Sequence, residues 1–354
     1  CAVGLATPVA LAAGLNKAAR NHILIRDTSA LEQMRNVDVV VFDKTGTLTE
    51  GHPTVIGWLW AQGQEEHYKD VLLAAESTSD HPLAEAIVTA LEGEEQVIPA
   101  HLDGFENITG KGVRVAYQGA EYWVGSHKLL KDYQANLSDI LADMLTQYES
   151  DGNSIVYFGR ENDLLAVIAI KDQLRVTSME AIRELRIQDI EICMLTGDGE
   201  RTASSVAGSL GIMRFVADAM PDDKEDFIHK LQLQGKTVAM VGDGVNDAQA
   251  LSCADVSIAM GKGTDTLMDT AMITLRTSDL LLLPKVFRLS RQTVSLMYRN
   301  LFWAFIYNTV GIFVAAGVLY PVYDILLSPA LAGAAMALSC VSVALSSLRL
   351  SSRF

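Results

Sequence analysis

Cysteine is scarce in this sequence: four in 354 residues, Cys1, Cys193, Cys253 and Cys340, far apart and without CxxC spacing. They point to neither a disulfide framework nor a zinc finger. Basic tracts are missing and the formal net charge is −15, so no nucleic-acid partner is expected. No Met and no cationic leader precede the apolar opening CAVGLATPVALAAGL, so the chain reads as the carboxyl-terminal part of something longer. Hydrophobic residues nonetheless make up 49% of the chain, high for a soluble protein of this charge. The charge sits in the middle and the apolar runs at the ends, so two unlike parts are averaged.

The middle is organised around Val37–Thr49, VDVVVFDKTGTLT. A short apolar run predicts a buried parallel strand ending on Asp43, at the sheet edge where α/β folds place ligands. Lys44 adds a cation, Thr45 and Thr47 add hydroxyls, and Gly46 allows a tight turn with its amides open to phosphate. An aspartate so placed can attack a phosphoryl group and carry it as an acyl phosphate.

Two later strings return to that edge. IEICMLTGD predicts a strand ending at Thr196-Gly197-Asp198, with Thr196 and Asp198 orienting the transferred group and its metal, before a helix from Glu200 whose free amides suit phosphate. KTVAMVGDGVNDAQAL predicts a strand followed by Asp243, Asn246 and Asp247, an oxygen-ligand cluster fit for Mg²⁺. Between them, Pro221 and Lys224 open another helix. From Leu164 the segment LLAVIAIKD reads as the strand that returns the chain to this α/β alternation.

Residues 55 to 165 read as an inserted domain of short strands and helices around 67–78, 82–92 and 138–149. In it, His81-Pro82 opens a helix, where a lone His is usually a cap or surface residue. Gly110 and Gly112 flank Lys111 as either an ordinary hairpin turn or a close approach for a flat ring or phosphate.

Toward the ends, Thr7-Pro8 predicts a kink or unwound stretch in an apolar helix. Leu301–Leu319 and Ala330–Leu348, each 19 residues without a charge, meet the length of membrane helices. Arg288, Arg291 and Arg299 before the first span, Arg349 and Arg353 after the second, and Lys17 and Arg20 near the start put all outer flanks on the cytoplasmic side. Tyr307, Asn308, Met336 and Ser339 are polar or sulfur-bearing positions in these spans, with Cys340 beside them. Ser342, Ser346 and Ser347 read as helix-packing contacts. The sulfurs of Cys1 and Met336 are soft ligands that select Cu(I).

The string DKTGTLT resembles the phosphorylation motif of P-type ATPases, within the haloacid-dehalogenase-like superfamily. The resemblance implies an α/β, haloacid-dehalogenase-like doubly wound phosphorylation domain at 23–54 and 165–285. It further implies an inserted α+β nucleotide-binding domain at 55–164, the end of a transmembrane ion-path helix at 1–22, and two carboxyl-terminal transmembrane α-helices within 286–354. Asp43 would be phosphorylated by ATP, Lys224 would offset the charge of the aspartyl phosphate, and Mg²⁺ would lie near Asp43, Thr45, Asp243, Asn246 and Asp247. Lys44, Thr196, Gly197 and Asp198 complete the catalytic set.

Glu76, His81, Gly110 and Gly112 resemble the nucleotide-binding residues of the heavy-metal-transporting (CPx-type) subfamily. The spans are similar to those of copper exporters, in which Cys1, Tyr307, Asn308, Met336 and Ser339 would line the ion path. That implies an integral protein of the plasma or inner membrane exporting Cu(I), with the ion delivered by a metallochaperone. The alternatives are Zn(II), Cd(II) or Ag(I) export, or a fragment that binds ATP without transport. Gln249 replaces an expected Pro, Cys340 an expected Ser, and the Cys-Pro before Cys1 and the actuator's Thr-Gly-Glu string are absent. A membrane-tethered phosphatase of the same superfamily would carry a second aspartate where this chain has Thr45.

Overall fold

The computed structural model describes residues 2–61, 65–79, 81–94, 97–135, 139–243, 247–261, 270–318 and 328–352. Cys1 and Asn246 lie outside them. The chain forms two compact units, one of Cys1–Val37 with Asp255–Phe354 and one of Asp38–Ala254.

The first unit opens with helix α1 (Ala2–Arg20), strand β1 (Ile23–Ile25) and helix α2 (Thr28–Gln33), the last capped by the Asp27 carboxylate, which accepts the Ser29 amide at 2.8 Å. The unwound stretch that Thr7-Pro8 could have produced is not there: α1 is continuous helix through Pro8. The missing amide forfeits one bond near the helix start, and Ala6, Ala10 and Ala13 bury a small-residue face that offsets it.

The second unit carries two sheets. Its elements are β2 (Val39–Asp43), β3 (Thr54–Trp60), α3 (Glu65–Glu76), α4 (Pro82–Glu92), β4 (Gly104–Ile108), β5 (Gly112–Tyr117), β6 (Ala120–Gly125), α5 (His127–Asp132), α6 (Asp139–Ser150), β7 (Ser154–Arg160) and β8 (Asp163–Lys171). There follow α7 (Ser178–Ile187), β9 (Glu191–Leu195), α8 (Glu200–Leu210), β10 (Arg214–Val216), α9 (Pro221–Leu233), β11 (Val238–Gly242) and α10 (Ala248–Cys253). Strands β11, β2, β9 and β10 lie side by side and parallel. Every residue of β2 is buried, as its unbroken apolar run predicts.

The second sheet is antiparallel, in the order β3-β8-β7-β6-β5-β4. One face buries Leu72, Leu73, Ile87 and Leu91 of α3 and α4 against Val113, Phe158 and Ile168. The other packs Trp123, Tyr157 and Val167 against Leu129 and Leu130 of α5 and Leu145 of α6. Each such side chain contributes about 2 kcal/mol on burial. The run LLAVIAI of β8, read from sequence both as a strand of the insert and as the return to α/β alternation, pairs with β3 and β7 and so belongs to the insert's sheet. Its alternate faces serve the two apolar layers, so a continuous apolar run here marks a central antiparallel strand.

The first unit resumes with β12 (Val256–Met260), β13 (Ile273–Leu275), α11 (Leu282–Ala315) and α12 (Pro329–Ser352). Strand β13 pairs with β1 and β12. A Cβ on Gly14 of α1 would meet Thr293 Oγ1 at 2.6 Å, so this glycine permits the close approach of α1 and α11. Among the described residues one helix segment, Ala330–Leu350, is long and apolar enough to cross a membrane, with mean hydropathy 1.9. The other expected span lies on α11, which ends at Ala315, and its Leu319 is outside the described residues.

Candidate phosphoryl-transfer site

Strand register brings the distant strings together. Asp43 closes β2 opposite Leu195 of β9, and Phe42 lies opposite Val241 of β11. Thr196–Asp198 and Asp243 therefore leave the sheet beside Asp43. The following loop, Lys44–Leu48, turns through Gly46 at φ +71°, a left-handed conformation natural to glycine.

Lys224 sits in the first turn of α9, whose Met220 amide is capped by Asp223 Oδ2 at 2.9 Å. Its ammonium donates to Asp43 Oδ1 at 2.6 Å and to Asp247 Oδ1 at 2.7 Å. Burial alone would lower the Lys224 pKa, but the two carboxylates outweigh it and hold the group above its ordinary value. Burial and then the charge of Asp43 push Asp243 up to about 7, and the same two causes raise Asp247.

Carboxylate oxygens of Asp43, Asp243 and Asp247 lie within 4.8 Å of one another. Three carboxylates balanced by one lysine repel unless another cation joins them, and an all-oxygen donor set suits Mg²⁺. The residues present therefore fit that ion. Thr45 is half-buried in the adjoining loop.

Beside this cluster Lys44 pairs with Asp198 and donates to Ser154 Oγ at 3.1 Å. Ser154 donates to Asp198 Oδ1 at 2.9 Å, and Thr196 Oγ1 donates to Asp198 Oδ2 at 3.2 Å. Burial would raise the Asp198 pKa, but Lys44 and these hydroxyls more than offset it and keep the carboxyl below its usual range. Gly197 lies between the two bonded residues.

His81 is the cap of α4: its Nδ1 accepts the Leu83 amide at 3.2 Å, so the ring proton is on Nε2. Surrounding protein, then Lys44, hold its pKa below the ordinary value against the pull of Asp198. Glu76, the last residue of α3, is buried, and burial pushes its carboxyl up to about 7. Gly112 is required by the sheet itself, since a Cβ there would meet Val124 O at 2.1 Å; Gly110 turns at φ +69°.

Several positioning residues were not evident from sequence. Arg175 is buried, donates from Nε to Thr47 O at 3.0 Å and from its terminal nitrogen to Gly46 O, and so grips the loop after Asp43. Ser178 donates to Leu48 O at 2.7 Å, and Asp172 accepts from the Gly51 amide at 3.1 Å and from Thr49 Oγ1. The only signal for Asp172 and Arg175 is the polar string KDQLR after an apolar strand, and Ser178 lies beyond it. Ser154, at the start of β7, gave none.

In the first unit Tyr307 and Met336 are exposed, Asn308 is half-buried and Ser339 is buried. Among the described residues no hydrogen bond joins any two of these four. Ser347 acts as a packing contact: it accepts from Asn300 Nδ2 at 3.0 Å and donates to Val343 O.

Residues 37–255 match the haloacid dehalogenase-like hydrolase family, and the chain belongs to that family. Its homologues over nearly its whole length are P-type ATPases that export metals. It is 43% identical over 350 residues to a copper-exporting P-type ATPase of Legionella pneumophila, covering 99% of this chain and 47% of that one. It is 44% identical over 355 residues to a silver-exporting P-type ATPase of Salmonella typhimurium, covering 99% and 43%. The fold matches a zinc-transporting PIB-type ATPase crystallised in its E2.Pi state, with TM-score 0.68 and 35% identity over 99% of this chain and 56% of that chain. The chain spans about half the length of the curated relatives it matches.

Proposed function

We propose that this chain is the catalytic and carboxyl-terminal membrane portion of a P-type ATPase that exports a soft metal cation, with Cu(I) as its cargo. The observation that carries this is Asp43 bonded to Lys224 and flanked by Asp243 and Asp247, with Thr45 where a second carboxylate would otherwise hydrolyse the intermediate. An Asp43 oxygen attacks the γ-phosphorus of ATP. The bond to the β–γ bridging oxygen breaks, and ADP leaves with that electron pair.

Lys224 offsets the charge of the transferred group from within hydrogen-bond reach of Asp43. Thr196 and Asp198, locked to each other, would orient the transferred group and its metal, and Gly197 keeps the approach free of a side chain. Lys44 holds Asp198 in place. Asp43, Asp243 and Asp247 would hold Mg²⁺, with Thr45 and Asn246 completing the set; when bound it supplies electrostatic stabilisation of the transferring phosphoryl group.

ATP binding is assigned to Glu76, His81, Gly110 and Gly112 of the insert. Cargo binding is assigned to Cys1, Tyr307, Asn308, Met336 and Ser339, with a metallochaperone as the donor. The exposed apolar residues Phe302, Trp303, Phe305, Ile312 and Phe313 support an integral location in the plasma or inner membrane, with the catalytic unit cytoplasmic. Copper and silver exporters among the relatives support a soft ion. The zinc-transporting neighbour supports Zn(II) as the second reading.

The deciding experiment measures ATP hydrolysis by the complete protein with Cu(I), Ag(I), Zn(II) and Cd(II), beside Asp43→Asn. Stimulation by Cu(I), lost in Asp43→Asn, is expected. Stimulation by Zn(II) alone would replace the cargo, and activity that survives Asp43→Asn would end the phosphoenzyme reading.

A further inference from the structure

Away from the carboxylate cluster, Glu225 and His229 stand one helical turn apart on α9, and Cys253 closes α10 opposite them. One donor atom from each, a carboxylate oxygen, an imidazole nitrogen and the thiol sulfur, fall within 4.8 Å of one another. The three residues are half-buried or exposed, so an ion can reach them from solvent.

The imidazole is already set for ligation. His229 Nδ1 lies 3.2 Å from Gln232 Oε1, an acceptor only, so Nδ1 carries the proton and Nε2 presents its lone pair. That Nε2 lies 3.5 Å from Glu225 Oε1. The same Gln232 side chain donates from Nε2 to the Cys253 carbonyl at 2.9 Å. One amide thus fixes the histidine's tautomer and anchors the cysteine's backbone, the outer-shell arrangement that orients metal ligands.

We infer that Glu225, His229 and Cys253 form a second metal site, for a borderline divalent cation of the Zn²⁺ class. One sulfur, one nitrogen and one oxygen suit that class: Cu(I) disfavours the carboxylate and Mg²⁺ disfavours the thiol. Three protein ligands leave a fourth position for water. The ion would tie α9, which presents Lys224 one residue before Glu225, to α10, which follows Asp247. Occupancy therefore bears on the pair of elements that hold the lysine bridge, whatever cargo the protein moves.

The test is a Zn²⁺ titration of the full chain with a competing chelator dye, with Mg²⁺ in excess to fill the oxygen cluster, and a parallel Co²⁺ titration followed by absorbance. One Zn²⁺ per chain is expected, lost in Cys253→Ser and in His229→Ala. Co²⁺ is expected to give a thiolate charge-transfer band that vanishes in Cys253→Ser and persists in Cys340→Ser. Gln232→Ala should weaken Zn²⁺ binding about 10- to 100-fold by freeing the imidazole. Unchanged Zn²⁺ affinity in Cys253→Ser, or a charge-transfer band that disappears with Cys1 or Cys340 instead, overturns the site.

Discussion

A Cβ placed on Gly46 would stand 1.5 Å from Asp243 Oδ2. The loop after Asp43 and the carboxylate that faces it can occupy their positions only because residue 46 has no side chain. Gly46→Ala should push Asp243 aside and strain a backbone held at φ +71°, and a displacement near 1 Å costs ~100-fold in rate. Phosphoenzyme formation from γ-labelled ATP, beside circular dichroism to confirm folding, checks this; normal labelling would refute it.

Removing the lysine between Asp43 and Asp247 leaves two buried carboxylates without their counter-charge. Lys224→Met should destabilise the chain by about 3 kcal/mol and slow phosphorylation by roughly 100- to 1000-fold. Lys224→Arg, which keeps the charge but not its compact shape, should recover stability better than rate. Urea unfolding and rapid-quench labelling separate the two effects, and equal recovery of both would count against a positional role.

Binding of Mg²⁺ should relieve repulsion among Asp43, Asp243 and Asp247 and so stabilise the fold. At one hundred times its dissociation constant the gain is about 2.7 kcal/mol, and Asp243→Asn should remove most of it. Melting curves with Mg²⁺ and with a chelator give the comparison. An undiminished Mg²⁺ shift in Asp243→Asn would place the ion elsewhere.

Glu76 gives a pH signature. Its carboxyl is raised by burial from 4.5 to about 7 in the folded chain. Between those values the folded state keeps a proton that the unfolded state releases, so stability falls as pH rises through the window, by about 3 kcal/mol in all. Glu76→Gln, neutral throughout, should match the natural chain near pH 4.5 and exceed it at pH 8. Parallel stability profiles for the two would remove the buried-acid assignment.

The candidate nucleophile and the residues beside it were legible because each lies at a strand end, where apolar runs stop abruptly on Asp43, Thr196 and Asp243. The α/β fold was legible for the same reason, and the insert was legible as a run of short strands and helices, while the antiparallel order of its sheet emerged only in the structure. Short edge strands were harder: β1 has three residues and β4 is exposed along nearly its whole length, so neither carries an alternation that marks a strand. Pro8 does not unwind its helix because a helix packed along one face tolerates a lost bond that an isolated helix would not. Arg175, Asp172 and Ser154 act on a backbone carbonyl, a backbone amide and the Lys44 ammonium more than 100 residues away in sequence, which no local pattern can announce. The Glu225, His229 and Cys253 grouping spans two helices and depends on how α9 and α10 pack.

Arg175 grips the Asp43 loop by its carbonyls, while the Gly46 and Thr49 amides are bonded inward to Thr49 Oγ1 and Lys44 O. These bonds secure the backbone of a segment that lies outside any sheet. In hydrogen–deuterium exchange these amides should trade their protons as slowly as those of β2, and Arg175→Ala should release them without disturbing the strand. On the proposed function, nucleotide would be aligned on a loop held fixed from both sides, and any motion that follows phosphorylation would be taken up by the parts around it.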